Sequence, residues 1–290
     1  MKIVTDSGAD LIFPKEVIEK INAHVLPLVV NLDGKSYRED IDISTQEFYR
    51  LLESAQGMPT TSLPPAGDFA DLYRELGKDG DEILSIHISS GLSGTYNSAI
   101  SGAQLVPEVR VTHFDAKTLS AAVGWMIEAA SRAIKAGWPK EKVLEIMERI
   151  QQGSDSIYTL KELKYLINGG RISHMKGLIA SLLNIKPIIG VEKENGTYVQ
   201  LGQERTFNRA LDGLVNQMKK LHPEGSRLRV QVLHAFNNEG AERLKEKIEK
   251  VFDVSWLPTG FMSLVLGAHT GPSMVGVAFA PQEIFDSLPA

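Results

Sequence analysis

The 290-residue chain contains no cysteine. Disulfides, thiolate nucleophiles, iron–sulfur clusters and thiolate zinc sites are therefore excluded. Long apolar runs are missing too: none approaches the ~20 residues of a membrane span. The opening MKIVTDSGADL has no apolar stretch of the secretory kind, so the expectation is a cytoplasmic protein without stable membrane insertion. Nucleotide signatures are absent, with neither G-x-x-x-x-G-K-[ST] nor a helix-opening G-x-G-x-x-G. The seven histidines are scattered, with no H-E-x-x-H pair. Positive charge is not in excess. Net charge is −5, which argues against a nucleic-acid partner, since neutralising phosphates needs a basic stripe. What remains is an ordinary globular composition, 43% hydrophobic and 23% charged, with length enough for two domains at ~150 residues each.

Residues 3–4 read as a first strand that breaks at Thr5-Asp6-Ser7-Gly8. Helical spacing follows over 11–21, with Pro14 near its start. Residues 25–32 are apolar and β-branched, and Asp33-Gly34 turns them back into 35–38 as a hairpin. Ser44 and Glu47 have capping-box spacing for a helix through Leu52. A loop over 58–67, a helix over 68–77, a strand over 83–88, a helix over 98–105, a strand over 109–114 and a long helix over 118–136 follow. This alternation predicts a parallel α/β sheet. Beyond 153 the alternation stops. A short helix over 160–167 ends at Gly169-Gly170, strands are expected at 198–203, 230–234 and 275–280, and helices at 206–221 and 238–250. The expectation is an amino-terminal domain over 1–153 and a second α/β domain with a mixed sheet over 154–290.

The chemistry-bearing residues are hydroxyls and one histidine on three polar segments: Thr60-Thr61-Ser62-Leu63-Pro64-Pro65, the run 89–96 (SSGLSGTY), and Gly267-Ala268-His269-Thr270-Gly271-Pro272. Loops at the carboxyl ends of a parallel sheet can converge on one ligand. Gly91 and Gly94 permit close backbone approach. The helix expected after them offers free N–H groups and a positive dipole end, which favour an anion. Thr61 and Ser93 can donate to that anion, a carboxylate or a phosphate, and His269 can donate to it or orient a hydroxyl. A single such hydroxyl is ordinarily a cap or turn former; the cluster points to a ligand. Asp6 and Ser7, ending the first strand, either reach this site or cap the next loop. Gly91-Leu92-Ser93-Gly94-Thr95 approaches G-x-S-x-G, but Thr95 replaces the last glycine and no acid is marked as a triad partner.

Taken together, TDSGADL at 5–11, TTSLPPAGDF at 60–69, SSGLSGTYNSA at 89–99, LKYLINGGRIS at 163–173, LLNIKPII at 182–189 and HTGP at 269–272 resemble the DegV family along essentially the whole chain. The resemblance implies an amino-terminal α/β/α layer with a parallel sheet, a second α/β domain, and a long-chain fatty acid in a tunnel between them. It implies a bacterial acyl-binding subunit with no cofactor and no catalysis of its own. Such a subunit presents the carboxyl group to a partner ATP-dependent fatty acid kinase, and the acyl phosphate feeds phospholipid synthesis. By the same resemblance Thr61, Ser62 and Ser93 hold the carboxylate, His269 supports them, and Arg171 engages the kinase. Leu63, Pro65 and Ser273 depart from the family's usual TSQPS and HTGPG. The apolar, glycine- and serine-containing stretch 175–185 is expected either to cover the tunnel and move, or to be a plain core helix. Competing readings are an acyl hydrolase or transferase using Ser93 and His269, and a small-anion sensor without a tunnel.

Overall fold

The computed structural model describes residues 1–175 and 185–289. Its amino-terminal part is a parallel sheet of β1 (Lys2–Asp6), β2 (Ala23–Leu26), β6 (Ile83–His87) and β7 (Val111–Asp115), in the order β2-β1-β6-β7. Strand residues alternate between two apolar cores, as a sheet covered on both faces requires. Val4 and Ile83 pack with Phe69, Tyr73 and Ala99 of α3 (Ala66–Gly77) and α4 (Thr95–Gln104). Ile3 and Leu84 face the other way, into the core that holds α5 (Ala121–Lys135) and α6 (Lys140–Gly153).

The second sheet is mixed. Its path runs β10 (Tyr198–Glu204), β9 (Lys186–Val191), β8 (Asp155–Thr159), β14 (Val275–Pro281), β11 (Arg227–His234) and β12 (Asp253–Trp256), with β13 (Gly260–Phe261) also pairing β11. Helices α8 (Phe207–Leu221) and α9 (Asn238–Glu249) cover one face, around Leu211, Leu214, Leu244 and Ile248. On the other face α5 and α6 pack against β14, so these helices lie between the two sheets. Polar clamps fix this layer: Trp125 Nε1 donates to Gln231 Oε1 at 2.9 Å, and Arg229 pairs with Glu128 at 2.6 Å with both side chains buried.

Several expectations change in detail. The apolar run 25–32 is not one strand. It divides at Pro27-Leu28: β2 joins the parallel sheet, whereas β3 (Val29–Leu32) forms a small antiparallel sheet with β4 (Lys35–Arg38) and β5 (Thr60–Ser62). Proline lacks the N–H that a continuing ladder needs, and Leu28 N donates to Ser7 Oγ instead. The Asp33-Gly34 turn has φ of 47° and 78°, the left-handed pair a two-residue hairpin demands. The Thr-Ser-Pro segment expected as a loop contains β5, because Thr60–Ser62 pair with Val29–Asn31. The helix expected over 11–21 shrinks to α1 (Lys15–Ile18), since Ile12 O is drawn out to accept from Gln231 Nε2. The 160–167 helix contracts to α7 (Lys164–Asn168). His269, expected in a loop, sits on α10 (Leu264–Thr270). Apart from its two end residues, the stretch 175–185 lies outside the described residues. None of the described helices is long and apolar enough to cross a membrane.

Candidate functional site

A cavity of about 320 Å³ opens where the small antiparallel sheet, the loop after β6, the turn after α7 and α10 converge. Thr61, Ser62, Ser93, Arg171 and His269 all line it. The rest of its wall is mostly apolar: Leu28, Leu63, Ile88, Leu92, Leu119, Tyr198, Val265 and Leu266. Arg171 carries the wall's charge among the described residues.

Thr61 is the middle residue of β5, opposite Val30. That pairing turns its hydroxyl toward α10, where Thr61 Oγ1 and His269 Nε2 share a hydrogen bond of 2.9 Å. The His269 ring is buried, and its Nδ1 has no hydrogen-bond partner among the described residues. Burial first, and the nearby Arg171 charge second, push its pKa down to about 4. At neutral pH the ring is therefore uncharged and carries one N–H. Gly169 makes room for it, because a Cβ there would collide with Nδ1.

Ser93 closes a turn in which its N–H and that of Leu92 donate to Ser89 O. Its Oγ contacts Thr95 Oγ1 at 2.8 Å and accepts from Thr95 N at 3.3 Å, at the start of α4. Arg171 bridges two segments, donating to Gly169 O at 2.6 Å and Leu92 O at 3.4 Å. It also lines an adjoining open hollow with Ser90, Gly91 and Gly170, so it borders both the cavity and the outer surface.

Behind this cavity a narrower apolar space runs along the mixed sheet, bounded by Ile157, Tyr158, Leu233, Met262, Met274 and Val277. Leu119, Tyr198 and Leu266 belong to both walls. The first space carries the polar side chains, and the second, across the shared wall, is apolar.

Asp6 and Ser7 do not line this site. They border a separate cavity with Asp10 and Glu39 and act by hydrogen bonding: Asp6 accepts from Gly8 N at 2.9 Å and Ile88 N at 3.2 Å, and Ser7 from Leu28 N at 3.0 Å. Both Ile88 and Leu28 are cavity walls. Asp6 also takes part in an arrangement that sequence reasoning missed. Its Oδ2 meets His87 Nδ1 at 2.9 Å, His87 Nε2 meets Ser85 Oγ at 2.7 Å, and Tyr73 OH closes the chain at 2.6 Å. The order is that of a serine triad, but Asp6, Ser85 and His87 are fully buried and the serine oxygen is occupied by tyrosine. This is a core network. Its one trace in the sequence is the Ser-x-His spacing on a strand, which places both side chains on one face. The apolar walls Leu119, Tyr198 and Leu266 had no local signal, because any core leucine or tyrosine looks the same.

Residues 1–282 match the family described as "Uncharacterised protein, DegV family". The chain belongs to the DegV family. A DegV domain-containing protein of Staphylococcus aureus is 35% identical over 275 residues, 95% of this chain and 96% of that one. The structure of a DegV lipid binding protein from Thermotoga maritima superposes with a TM-score of 0.85 at 30% identity, covering 96% of this chain and 97% of that one. The structure of DegV, a fatty acid binding protein from Bacillus subtilis, gives 0.84 at 32% identity, covering 96% and 98%. This DegV-family chain thus shares with them its α/β fold over 96% of its length.

Proposed function

We propose that this chain binds one long-chain fatty acid and presents its carboxylate to a separate ATP-dependent kinase. Thr61, Ser62 and Ser93 donate to the carboxylate, and His269 holds Thr61 in place. The acyl chain follows the apolar path past Leu119, Tyr198 and Leu266. Each buried CH₂ contributes roughly 0.8 kcal/mol, so the tail supplies most of the affinity and the polar end sets orientation. On this reading 1–153 carries the head-group residues Thr61, Ser62 and Ser93, while 154–290 completes the tunnel and adds His269. On the same reading Arg171 meets the kinase, a role supported by its bordering both cavity and surface, and the acyl phosphate then enters phospholipid synthesis. The chain needs no cofactor for this role, and a cytoplasmic location fits it.

The observation that carries the reading is a hydroxyl-lined cavity bearing Arg171 beside an apolar space that shares its Leu119, Tyr198 and Leu266 walls. The two superposed structures support it, one being of a lipid binding protein and the other of a fatty acid binding protein. A Ser93 hydrolase finds less support: Ser93 Oγ pairs with Thr95, and His269 Nε2 pairs with Thr61. The test is extraction and mass spectrometry of lipid that copurifies with the protein from a bacterial host. A near-stoichiometric fatty acid is expected. Protein that is empty and takes up no fatty acid when offered a range of chain lengths would overturn the reading.

A further inference from the structure

Helix α10 forms one side of the cavity through Val265, Leu266 and His269, and every residue in it is buried. Its amino-terminal end is held by carboxylates from two distant segments. Ser263 N donates to Asp10 Oδ1 at 2.9 Å, and Leu264 N donates to Glu39 Oε1 at 3.3 Å. The second oxygen of Asp10 accepts from Ser120 Oγ at 2.5 Å, one residue from the cavity wall Leu119. Glu39 also accepts from Thr45 Oγ1 at 2.9 Å. Tyr49 OH completes the grip by donating to Met262 O at 2.9 Å. Asp10 and Ser120 have φ of 29° and 61°. Such backbone persists only where surrounding bonds over-determine it.

We infer that Asp10 and Glu39 are positioning residues for the ligand site: they set the placement of α10 and Leu119, and through it the reach of His269 to Thr61, without touching the ligand. The inference rests on the lipid-binding reading for its ligand. The groups facing Glu39 are Asp10, Asp40 and Tyr49, and Asp6 faces Asp10. Neither carboxylate has a Lys or Arg ion pair among the described residues. Burial raises Asp10 to about 6 and Glu39 to about 8. Near neutral pH the clamp therefore carries one negative charge, on Asp10, where the helix amino terminus favours it. Burial and the neighbouring Asp10 charge oppose a second charge on Glu39 more strongly than its Thr45 and Leu264 hydrogen bonds favour it, so ionising Glu39 loosens the grip.

The experiment follows release of a bound fluorescent fatty acid from the full chain to phosphatidylcholine vesicles, between pH about 7 and 9.5. Wild type is expected to release faster as pH passes about 8, whereas Glu39→Gln stays level across the range. Asp10→Asn is expected to release about five-fold faster at pH 7, the scale of a lost helix cap. Ile248→Val, in the core behind the mixed sheet, keeps the wild-type profile. In lipid-free protein, Asp10→Asn is expected to raise the His269 imidazole pKa from about 4 as the ring gains water. A Glu39→Gln profile that still rises like wild type overturns the inference, as does an unmoved imidazole in Asp10→Asn. Wild type that takes up no fatty acid overturns the lipid-binding reading instead, and the imidazole titration still decides the positioning role.

Discussion

Thr61 and His269 lie 208 positions apart, yet Thr61 Oγ1 and His269 Nε2 meet at 2.9 Å across the cavity. The pair joins an edge strand of the smallest sheet to a buried helix near the end of the chain. Burial, with Arg171 nearby, keeps the histidine neutral, and the contact orients the threonine hydroxyl.

Thr61→Val and Ser93→Ala each remove a donor while keeping shape. Hydrogen bonds to a charged group contribute about 1.5–3 kcal/mol, so each substitution is expected to weaken fatty-acid binding roughly ten- to hundred-fold. Displacement of a fluorescent fatty acid measures this. Affinity equal to wild type in both variants would remove these residues from head-group binding.

Arg171→Ala should separate binding from transfer. Retained fatty-acid affinity with lost acyl-phosphate formation, in a mixture with ATP and a fatty acid kinase, is the expected pattern. Equal losses of both would place the arginine in ligand binding alone.

The depressed His269 pKa has a definite consequence for stability. A neutral buried imidazole contributes stability fully present above the unfolded value of about 6.5. That contribution is lost as pH falls through about 4. Asp10 and Glu39 act in the opposite sense. Their raised values give stability fully present below the unfolded carboxylate range and lost as pH rises through about 6 and then about 8. Urea unfolding midpoints against pH, for wild type and Glu39→Gln, check both limbs. The alkaline decline should flatten in Glu39→Gln, and an unchanged decline would assign it elsewhere.

Gly169→Ala tests the packing behind the site. A Cβ at Gly169 would strike the His269 ring, although its backbone φ of −72° accepts alanine. Fatty-acid affinity should fall with little change in far-ultraviolet circular dichroism. Undiminished affinity would mean that the ring can move without consequence.

The buried Asp6–His87–Ser85 chain should be chemically silent. A fluorophosphonate probe is expected to label neither Ser85 nor Ser93. Asp6→Ala should cost about 3 kcal/mol, because it strands buried donors. Labelling at Ser93 would revive a hydrolase.

Where local chemistry decides structure, the sequence was sufficient. Alternating apolar strands and helices announced the parallel sheet, Asp33-Gly34 announced its hairpin, and Ser44 with Glu47 announced the capped α2 helix (Thr45–Ser54). Thr61, Ser62, Ser93 and His269 stood out as polar side chains on glycine- or proline-rich segments, and Arg171 through the family resemblance alone. Tertiary packing decided what those residues meet. Only the folded chain converts Thr60–Ser62 into an edge strand, puts His269 on a helix, assigns Asp6 to the core and Asp10 to the amino terminus of that helix. Periodicity and turn chemistry act over a few neighbouring residues. Burial, the pKa shifts it causes, and contacts over 200 positions depend on which surfaces the whole chain brings together.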